Sequence, residues 1–327
     1  MIDFTEFDSL FALTLYFNSE DKCKQTIIES RWKDGDIVCP FCGKHHCYHR
    51  SDGSFRCPVC EKNFSCLVGT IFENTKISLR KWFMAMYLIS THKKGVSSVQ
   101  LSVDIDVTQK TAWFILHKLR TLFANYNNAE LSDVVQCDEM YLGGRETNKH
   151  ESKRTEKTQG RSIKTKTPIF GMATSWYEEE INHVTGEVVK TKYSIVNARK
   201  VANAKAETLI PIIEKYIAEG SLIVTDELSA YCSIDRSKYK HMVVRHGAKE
   251  YVINGFTTNG IEGYWGHFKR TIFGIYHMVS KKYLQRYIDE SVYRYNTKGY
   301  PASWRFQDMF NASIGRVQYE DVKHMVA

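Results

Sequence analysis

Apolar positions recur at helical spacing over residues 77–123 and predict three helices, at about 79–92, 96–103 and 108–123. The second and third helices are separated by the short stretch DIDV, and Thr108 is a suitable N-cap for the third. A short helix, a tight turn and a longer helix form the helix-turn-helix pattern. An ordinary three-helix bundle has the same pattern, so both interpretations stay open.

The third of these helices is predicted to have a core face and a polar face. Its core face is formed by Ala112, Ile115, Leu116 and Leu119. The residues left for solvent or DNA are Gln109, Lys110, Trp113, His117, Lys118 and Arg120.

Two apolar, β-branched stretches in the middle of the chain each carry an aspartate. DVVQCDEMYLGG at 133–144 predicts a strand with Asp138 inside it, and strand alternation places Glu139 on the opposite face. GSLIVTDELSAY at 220–231 predicts a second strand with Asp226 near its C-terminal end. A carboxylate inside a strand costs free energy unless something compensates for it, such as a metal ion.

The segments between and after these two strands complete an α/β pattern. Residues 167–177 and 188–197 predict a hairpin, 203–220 a helix and 240–248 a short strand, and a last helix carries Glu262. With one extra helical turn after the second aspartate, the order is β-β-β-α-β-α-β-α. This is the order of the ribonuclease H-like fold, in which three antiparallel strands precede parallel crossovers.

The last helix of this region, within TTNGIEGYWGHFKR at 257–270, is amphipathic. Its apolar stripe consists of Ile261, Trp265, Phe268 and Ile272. Asn259, Glu262 and Lys269 share a different face, within a sector of about 80°. A solvated face with a helical ion pair explains this pattern when it is taken alone.

Asp138, Asp226 and Glu262 together form an ordered set of three carboxylates. Any one of them alone is better explained as a capped or paired surface acid. As a set, they can hold two Mg²⁺ or Mn²⁺ ions that activate a water and stabilise a leaving 3′-oxygen in phosphodiester chemistry. Lys269, two turns after Glu262, can then contact the phosphate backbone beside the metals.

The N-terminal part of the chain contains two C-x-x-C pairs, CPFC and CPVC, with fourteen residues between them. Two such turns complete a tetrahedral site, so the spacing predicts a zinc ribbon with structural Zn²⁺. The predicted ligands are Cys39, Cys42, Cys57 and Cys60. Redox cysteines or a disulfide pair are the alternative, and Cys47 and Cys66 are expected to be packing residues.

Composition narrows the class of protein further. The net charge of +8 fits a polyanionic partner such as DNA. The sequence has no run of 18 apolar residues and no basic stretch at its N-terminus, so we expect neither a membrane span nor a signal peptide. Nine cysteines without an export signal indicate a reducing compartment. We therefore expect a cytoplasmic, nucleoid-associated protein.

Several stretches together resemble one family. They are CPFC…CPVC, CDEMYLGG, TDELSAY, TNGIEGYWGHFKR and, most specifically, GIYHMVSKKYLQRYIDESVYRYN at 274–296. Over essentially its whole length the sequence resembles the zinc-ribbon DDE transposases of bacterial insertion sequences related to the Merlin superfamily.

The resemblance implies roles for individual residues. Asp138 and Asp226 match the first two metal ligands, and Lys269 matches the lysine that follows the third. Some members of the family have an asparagine as the third ligand, and here Asn259 and Glu262 are one turn apart. Glu262 is favoured, because a charged oxygen binds Mg²⁺ better than a neutral amide does.

The function implied by the resemblance is DNA transposition. Such an enzyme recognises the terminal inverted repeats of its own element, cleaves at the element ends and joins the 3′-hydroxyls to target DNA. We expect a homo-oligomer in the DNA complex. The alternatives are a ribonuclease H-like nuclease without strand transfer and a zinc-dependent DNA-binding regulator.

We therefore predict a multidomain α+β protein. The predicted parts are an N-terminal helical segment at 1–35, the zinc ribbon at 36–70, a helix-turn-helix-like domain at 75–128, a ribonuclease H-like α/β catalytic domain with a mixed sheet at 130–298, and a C-terminal tail at 299–327. The segment 144–167 contains eight Lys or Arg against three Glu and either follows DNA phosphates or is simply solvated.

Overall fold

The computed structural model describes residues 3–143, 150–155, 160–181, 188–245 and 257–314. The chain divides into two compact units. The first contains Met1–Leu122 together with Thr297–Ala327, and the second contains Phe123–Asn296. In the described part of the chain, no helix is both long and apolar enough to cross a membrane.

The first unit begins with two helices, α1 (Leu10–Tyr16) and α2 (Glu20–Arg31). Each starts after a serine whose hydroxyl accepts a hydrogen bond from a backbone N–H of the first turn. Ser9 accepts from Ala12 and Ser19 from Lys22. These caps satisfy N–H groups that have no partner within the helix, which fixes where both helices begin.

A three-stranded antiparallel sheet follows, in the order β1 (Tyr48–His49), β2 (Phe55–Arg56) and β3 (Asn63–Phe64). Strands β1 and β2 form a hairpin between the two cysteine pairs. Phe55 is fully buried, and its ring lies 5.2 Å from that of Trp32, which directly follows α2. The small sheet is therefore packed against the end of α2.

Three more helices have bounds close to the predicted ones: α3 (Leu79–Thr91), α4 (Ser98–Asp104) and α5 (Gln109–Arg120). Thr108 caps α5 as expected, since its side chain accepts a hydrogen bond from the Thr111 N–H. The four predicted core residues of α5 are all buried.

The prediction for the polar face of α5 was wrong at two positions. His117 is 4% exposed and Arg120 is 1% exposed, so neither is available to solvent or DNA. The reason is that α5 contacts both α3 and α4, which makes its buried sector wider than one apolar stripe. Gln109 and Lys110, by contrast, are exposed as predicted.

The second unit is built on a five-stranded mixed sheet with three helices. Its elements are β4 (Val134–Gly143), β5 (Lys166–Ile181), β6 (Val188–Lys200), α6 (Ala206–Tyr216), β7 (Leu222–Thr225), β8 (Lys240–Val243), α7 (Asn259–Thr271) and α8 (Leu284–Asn296). The strand order is β6-β5-β4-β7-β8. Strands β4, β5 and β6 are antiparallel, whereas β7 and β8 are parallel to β4. The 3-10 turn Ser229–Ser233 lies between β7 and β8, where the sequence analysis required one extra helical turn. With this turn included, the strands and helices up to α7 follow the predicted order. Residues 246–248 of the last predicted strand lie outside the described part.

Alternation along the strands gives the sheet two buried faces. Val135 and Cys137 of β4 belong to the core that includes α6, whereas Met140 belongs to the core that includes α7 and α8. The predicted apolar stripe of α7 is confirmed as part of the second core. Asp138 is two residues before Met140 on β4, so its side chain leaves the strand on the same face, which is the face that α7 covers.

Buried polar groups attach α8 to the edge of the sheet. The side chain of Asn127 donates to the Ala198 carbonyl oxygen of β6 at 2.6 Å and to Asp289 Oδ1 of α8 at 2.7 Å. It also accepts from the Ala198 N–H at 2.9 Å. Burial raises the pKa of Asp289, and the hydrogen bond from Asn127 acts in the opposite direction.

A ninth helix, α9 (Ala302–Ile314), lies within the segment predicted as a C-terminal tail and belongs to the first unit. Its Phe310 is fully buried, with its ring 5.4 Å from that of Phe83 on α3 and 5.4 Å from that of Phe4. The tail segment therefore completes the core of the first unit. Residues 315–327 lie outside the described part.

Candidate functional site

The four predicted zinc ligands lie together in the first unit. The Sγ atoms of Cys39, Cys42, Cys57 and Cys60 are all within 4.8 Å of one another. The Sγ atoms of Cys39 and Cys60 are 3.6 Å apart, and those of Cys42 and Cys57 are 3.5 Å apart. A tetrahedral zinc site requires sulfur–sulfur distances of about 3.8 Å. The cluster therefore fits one Zn²⁺ with little adjustment.

The two cysteine turns have the same backbone geometry. In the first, the Gly43 N–H donates to the Cys39 carbonyl oxygen at 3.0 Å, and in the second the Glu61 N–H donates to that of Cys57 at 3.1 Å. Both donor residues have positive φ, 71° for Gly43 and 57° for Glu61. Such tight turns bring two thiols of one turn to the same side. Cys47 is buried outside this cluster, as predicted.

A second cluster of possible metal ligands lies in the second unit. It consists of the carboxylates of Asp138, Glu139 and Asp226, which each have an oxygen within 4.8 Å of the others. Asp138 and Asp226 were predicted from the sequence, but Glu139 was not. No other described acidic group joins the cluster at this distance.

The register of the sheet explains why these carboxylates meet. The parallel ladder between β4 and β7 ends at the pair Gln136–Val224, so Asp138 and Asp226 are level two residues further on. Strand β7 itself ends at Thr225. Beyond that point β4 has no neighbour on this side among the described strands, and side chains from both of its faces can reach the open edge.

Asp138 is oriented by the indole of Trp265. The indole N–H donates to Asp138 Oδ2 at 3.0 Å. Trp265 can come this close because the residue opposite Asp138 on β5 is Gly171. A Cβ atom at Gly171 would lie only 2.5 Å from Trp265 Cζ2. Burial, with the negative charges of Asp226 and Glu262, raises the pKa of Asp138 to about 6.

Glu139 starts on the opposite face of β4, as strand alternation predicts, yet its carboxylate reaches the same cluster. The phenolic O–H of Tyr231 donates to Glu139 Oε1. Burial, with the charges of Asp226 and Asp138, raises the pKa of Glu139 to about 7 against the effect of that hydrogen bond. Nothing in the local sequence pairs Glu139 with Tyr231, so periodicity alone could not find this contact.

Asp226 is held by two donors. The Leu228 N–H donates to its Oδ1 at 2.9 Å, and the Arg161 guanidinium donates to its Oδ2 at 2.8 Å. Arg161 belongs to the basic segment 144–167, of which residues 144–149 and 156–159 lie outside the described part. Arg161 was not predicted as a site residue, and it supplies a positive charge to the acidic cluster.

Helix α7 forms one wall of a cleft of about 370 Å³ beside the cluster. The cleft is lined by Asp138, Glu139, Met140, Tyr141, Glu262, Trp265, Gly266 and Lys269. Glu262 and Lys269 therefore lie where the sequence analysis expected them, on one face and at the acidic site. Glu262 accepts a hydrogen bond from Thr258 Oγ1 at 2.7 Å and lies outside the three-carboxylate group.

Asn259 is the first residue of α7 and is exposed. It is not among the residues that line the cleft. The next residue, Gly260, lies so close to β4 that an added Cβ would be 2.6 Å from Gln136 Oε1. The Gln136 Oε1 atom also accepts a hydrogen bond from the Ile261 N–H at 3.1 Å, which fixes this end of the helix against the strand.

The donor set of the cleft fits a hard divalent cation. Carboxylate oxygens are the ligands that Mg²⁺ and Mn²⁺ prefer, and three of them within 4.8 Å require only a small contraction to share an ion. Without a cation their mutual repulsion is relieved by Arg161 and by proton uptake. The arrangement can therefore bind a metal beside a lysine that is able to contact a phosphate.

Comparison with known families identifies the class of protein. The family model described as the ISXO2-like transposase domain matches residues 130–296, just over half of the 327-residue chain. The chain belongs to the ISXO2-like transposase family. The match contains the acidic cluster and the whole cleft.

Two further comparisons agree with this assignment. A transposase zinc-ribbon domain matches residues 18–63, which include all four clustered cysteines. A relative from Halobacterium salinarum, described as an uncharacterized protein in transposable element ISH50, is 28% identical over 264 residues, 76% of this chain and 81% of its own. The resemblance to zinc-ribbon transposases of insertion sequences is thus confirmed.

A first prediction for this ISXO2-like transposase concerns the room that Trp265 needs. Gly171→Ala should destabilise the second unit by about 1–3 kcal/mol, because the added methyl overlaps the indole ring. Urea unfolding followed by tryptophan fluorescence measures the change. Gly263→Ala on α7 is the control, since its Cβ would enter open space. Equal stability of both variants would contradict the close packing of Trp265.

A second prediction concerns the pH dependence of stability without divalent cation in the cleft. The pKa values of Asp138 and Glu139 are raised in the folded state, to about 6 and about 7. The folded state therefore holds these protons at a higher pH than the unfolded chain does, and stability should fall as pH rises from 4 to 7. Glu139→Gln should show a smaller fall in melting temperature over this range, measured by differential scanning fluorimetry. An unchanged slope would show that Glu139 titrates normally.

Proposed function

We propose that the chain is the DNA transposase of an insertion sequence. It would bind the terminal inverted repeats of its element, cleave at their ends and transfer the 3′-hydroxyl strands to target DNA, as a homo-oligomer on the DNA. The observation that carries the proposal is the gathering of Asp138, Glu139 and Asp226 beside a cleft inside the transposase-matched region. Asp138 and Glu139 line this cleft together with Glu262 and Lys269.

The proposed fold of the second unit is ribonuclease H-like. Its sheet has three antiparallel strands followed by two parallel ones. Asp138 and Glu139 lie on β4, Asp226 lies directly after β7, and Glu262 lies on α7. This arrangement supports the proposed fold, because Asp138, Glu139 and Asp226 lie just beyond the point where the parallel β4–β7 ladder ends, on the side of the sheet where ligands of open α/β sheets bind.

The proposed metal ligands are Asp138, Asp226 and Glu262, with Glu139 as a further carboxylate of the same site. Two Mg²⁺ or Mn²⁺ ions bound there would activate a water or 3′-hydroxyl and stabilise the leaving oxygen in phosphodiester chemistry. Glu262 does not belong to the three-carboxylate group, but it lines the same cleft and raises the pKa of Asp138 through its charge. A rotation of its exposed side chain would bring it to the ions.

The neighbouring residues prepare this site for its substrate. Trp265 keeps one oxygen of Asp138 fixed, and Tyr231 keeps one oxygen of Glu139 fixed, so the free oxygens stay directed to the cleft. Lys269 provides the positive charge that a scissile phosphate needs beside the metals. Arg161 holds Asp226 while the divalent cation is absent.

The proposed DNA-end binding elements are in the first unit. The zinc ribbon and the α4–α5 pair, interpreted as a helix-turn-helix, would hold the inverted repeats. Gln109 and Lys110 at the start of α5 are exposed and can reach a major groove, and Phe114 is 46% exposed on the same helix. His117 and Arg120 have no part in this proposal, because they are buried.

The assignment of the metal ligands is testable with conservative variants. Glu262→Gln should abolish cleavage and strand transfer while binding of the element ends persists, because a neutral amide removes one negative charge that balances the two metal ions. Glu139→Gln should weaken Mn²⁺ binding measured by calorimetry. Asn259→Ala is the control for Glu262→Gln, because both residues lie on α7. Its effect on cleavage should be smaller, since Asn259 does not line the cleft.

Near-normal cleavage by Glu262→Gln, together with complete loss of cleavage in Asn259→Ala, would contradict this assignment. It would show that the third metal ligand is Asn259, one helical turn before Glu262. Cleavage without any joining of the 3′-ends to target DNA by the unaltered protein would instead select the nuclease function. Specific binding of the element ends without cleavage or strand transfer would indicate a zinc-dependent DNA-binding regulator.

The zinc site has its own test. Cys39→Ser combined with Cys42→Ser should remove the bound zinc, measured by metal analysis of the full chain, and should abolish specific end binding before it affects Mn²⁺ binding in the other unit. Cys47→Ser is the control, because Cys47 is a buried cysteine outside the four-sulfur cluster. Full zinc content in the double variant would contradict the assignment.

A further inference from the structure

The face of α7 that lines the cleft continues beyond it. Glu262, Gly266 and Lys269 line the cleft and, at 100° per residue, fall within a sector of about 60°. Phe273 follows four residues after Lys269, in the π-helical turn Ile272–Tyr276 that continues α7. Phe273 is 55% exposed, which is unusual for a phenylalanine in a helix with a well-formed core.

A glycine, Gly266, lies at the centre of this face, between Glu262 and Lys269. The guanidinium of Arg270 lies beside it, and Arg270 Nη1 would be 3.4 Å from a Cβ atom added at Gly266. The side of the helix that faces the cleft therefore has the positive charge of Arg270 next to that of Lys269.

The chain leaves α7 through an irregular segment that exposes a second apolar side chain. A π-helical turn occupies Ile272–Tyr276, and His277 follows with φ 57° and ψ −52°, a conformation that non-glycine residues rarely adopt. The His277 ring is placed by its Nδ1, 3.1 Å from the Phe273 carbonyl oxygen. Met278 comes next and is 88% exposed. Backbone strain of this kind is concentrated at functional sites.

The exposed charges along this segment of the sequence are basic. From residue 263 to residue 288 the sequence contains five Lys or Arg and no Asp or Glu, and Arg270, Lys281 and Lys282 are exposed. Glu290, which accepts a hydrogen bond from the Tyr276 hydroxyl at 2.6 Å, is fully buried. Exposed apolar side chains with basic residues on both sides in the sequence fit a polyanion with apolar faces, such as a nucleic acid strand with unpaired bases. They do not fit an acidic protein surface equally well, because Phe273 and Met278 would then face charged groups.

We propose that Phe273 and Met278 hold unpaired bases of the DNA strand that leads away from the acidic cluster, while Lys281 and Lys282 contact its phosphates. The proposal rests on the function proposed above and names a contact surface for its substrate. Phe273 provides a ring on which a base stacks, and the Met278 side chain packs against the next base or separates it from its pair. Phe273 is one helical turn, about 6 Å, beyond Lys269, so the strand whose phosphate lies at Lys269 reaches it directly.

Binding measurements on the full chain test the proposal without requiring activity. The probes are a fully paired duplex and a fork of the same arbitrary sequence with a few unpaired nucleotides, both used without Mg²⁺ and followed by fluorescence anisotropy. Phe273→Ala combined with Met278→Ala should weaken binding of the fork about tenfold and of the duplex less than twofold. Tyr177→Ala is the matched control, since Tyr177 is 56% exposed on the β5–β6 hairpin. It should change neither affinity.

Lysine variants give an independent readout. Lys281→Ala combined with Lys282→Ala should weaken binding of both DNAs and reduce the slope of log affinity against log salt by about one to two.

Equal effects of the Phe273/Met278 double variant on fork and duplex, or no effect on either, would overturn the proposal. A change in sedimentation of the free protein without a change in fork affinity would show that the surface binds a second copy of the chain. End-specific cleavage by the unaltered protein tests the transposase function separately.

Discussion

Repulsion among carboxylates held at one point is the constraint on which the second unit depends. Asp138, Glu139 and Asp226 meet because the β4–β7 ladder ends two residues before them, so both faces of β4 open to one edge. Packing around this edge fixes two of the three. Trp265 over Gly171 fixes Asp138, and Tyr231 fixes Glu139, so α7 and the segment after β7 both serve the same cluster.

The first unit depends on a different kind of constraint. Its ribbon has three two-residue strands and a core of a few aromatic rings, which is too small to be stable alone. Packing on the end of α2 stabilises the ribbon, and a zinc ion held by the four clustered cysteines would add the rest. This agrees with the zinc-ribbon match, which begins at residue 18 and so includes α2 as well as the cysteines.

Sequence reasoning succeeded where the signal is local. The stripe of α7 follows from helical spacing, and the four-cysteine cluster follows from the repeated C-x-x-C turns. It failed where the outcome depends on tertiary contacts. Arg120 is buried because two helices cover α5, and Glu139 joins the cluster because a neighbouring strand stops.

Helix α9 is a different case, because its signal was present in the sequence. Pro301 stands directly before Ala302, a position that favours the start of a helix, and Phe306 and Phe310 follow at helical spacing. Phe306 and Phe310 are both fully buried in the first unit, so the helical spacing after residue 296 is a core signal of the same kind as the one in α3.

The position of α9 has a consequence for biosynthesis. Residues 302–314 complete the aromatic core that α3 and the N-terminal segment begin, although the entire second unit is translated between them. The ribosome must therefore finish the second unit before the first unit can close. A polypeptide released before α9 is made would leave Phe4 and Phe83 without the side chains of α9 that cover them. Because of this order of segments, a chain with a completed first unit always contains the second unit.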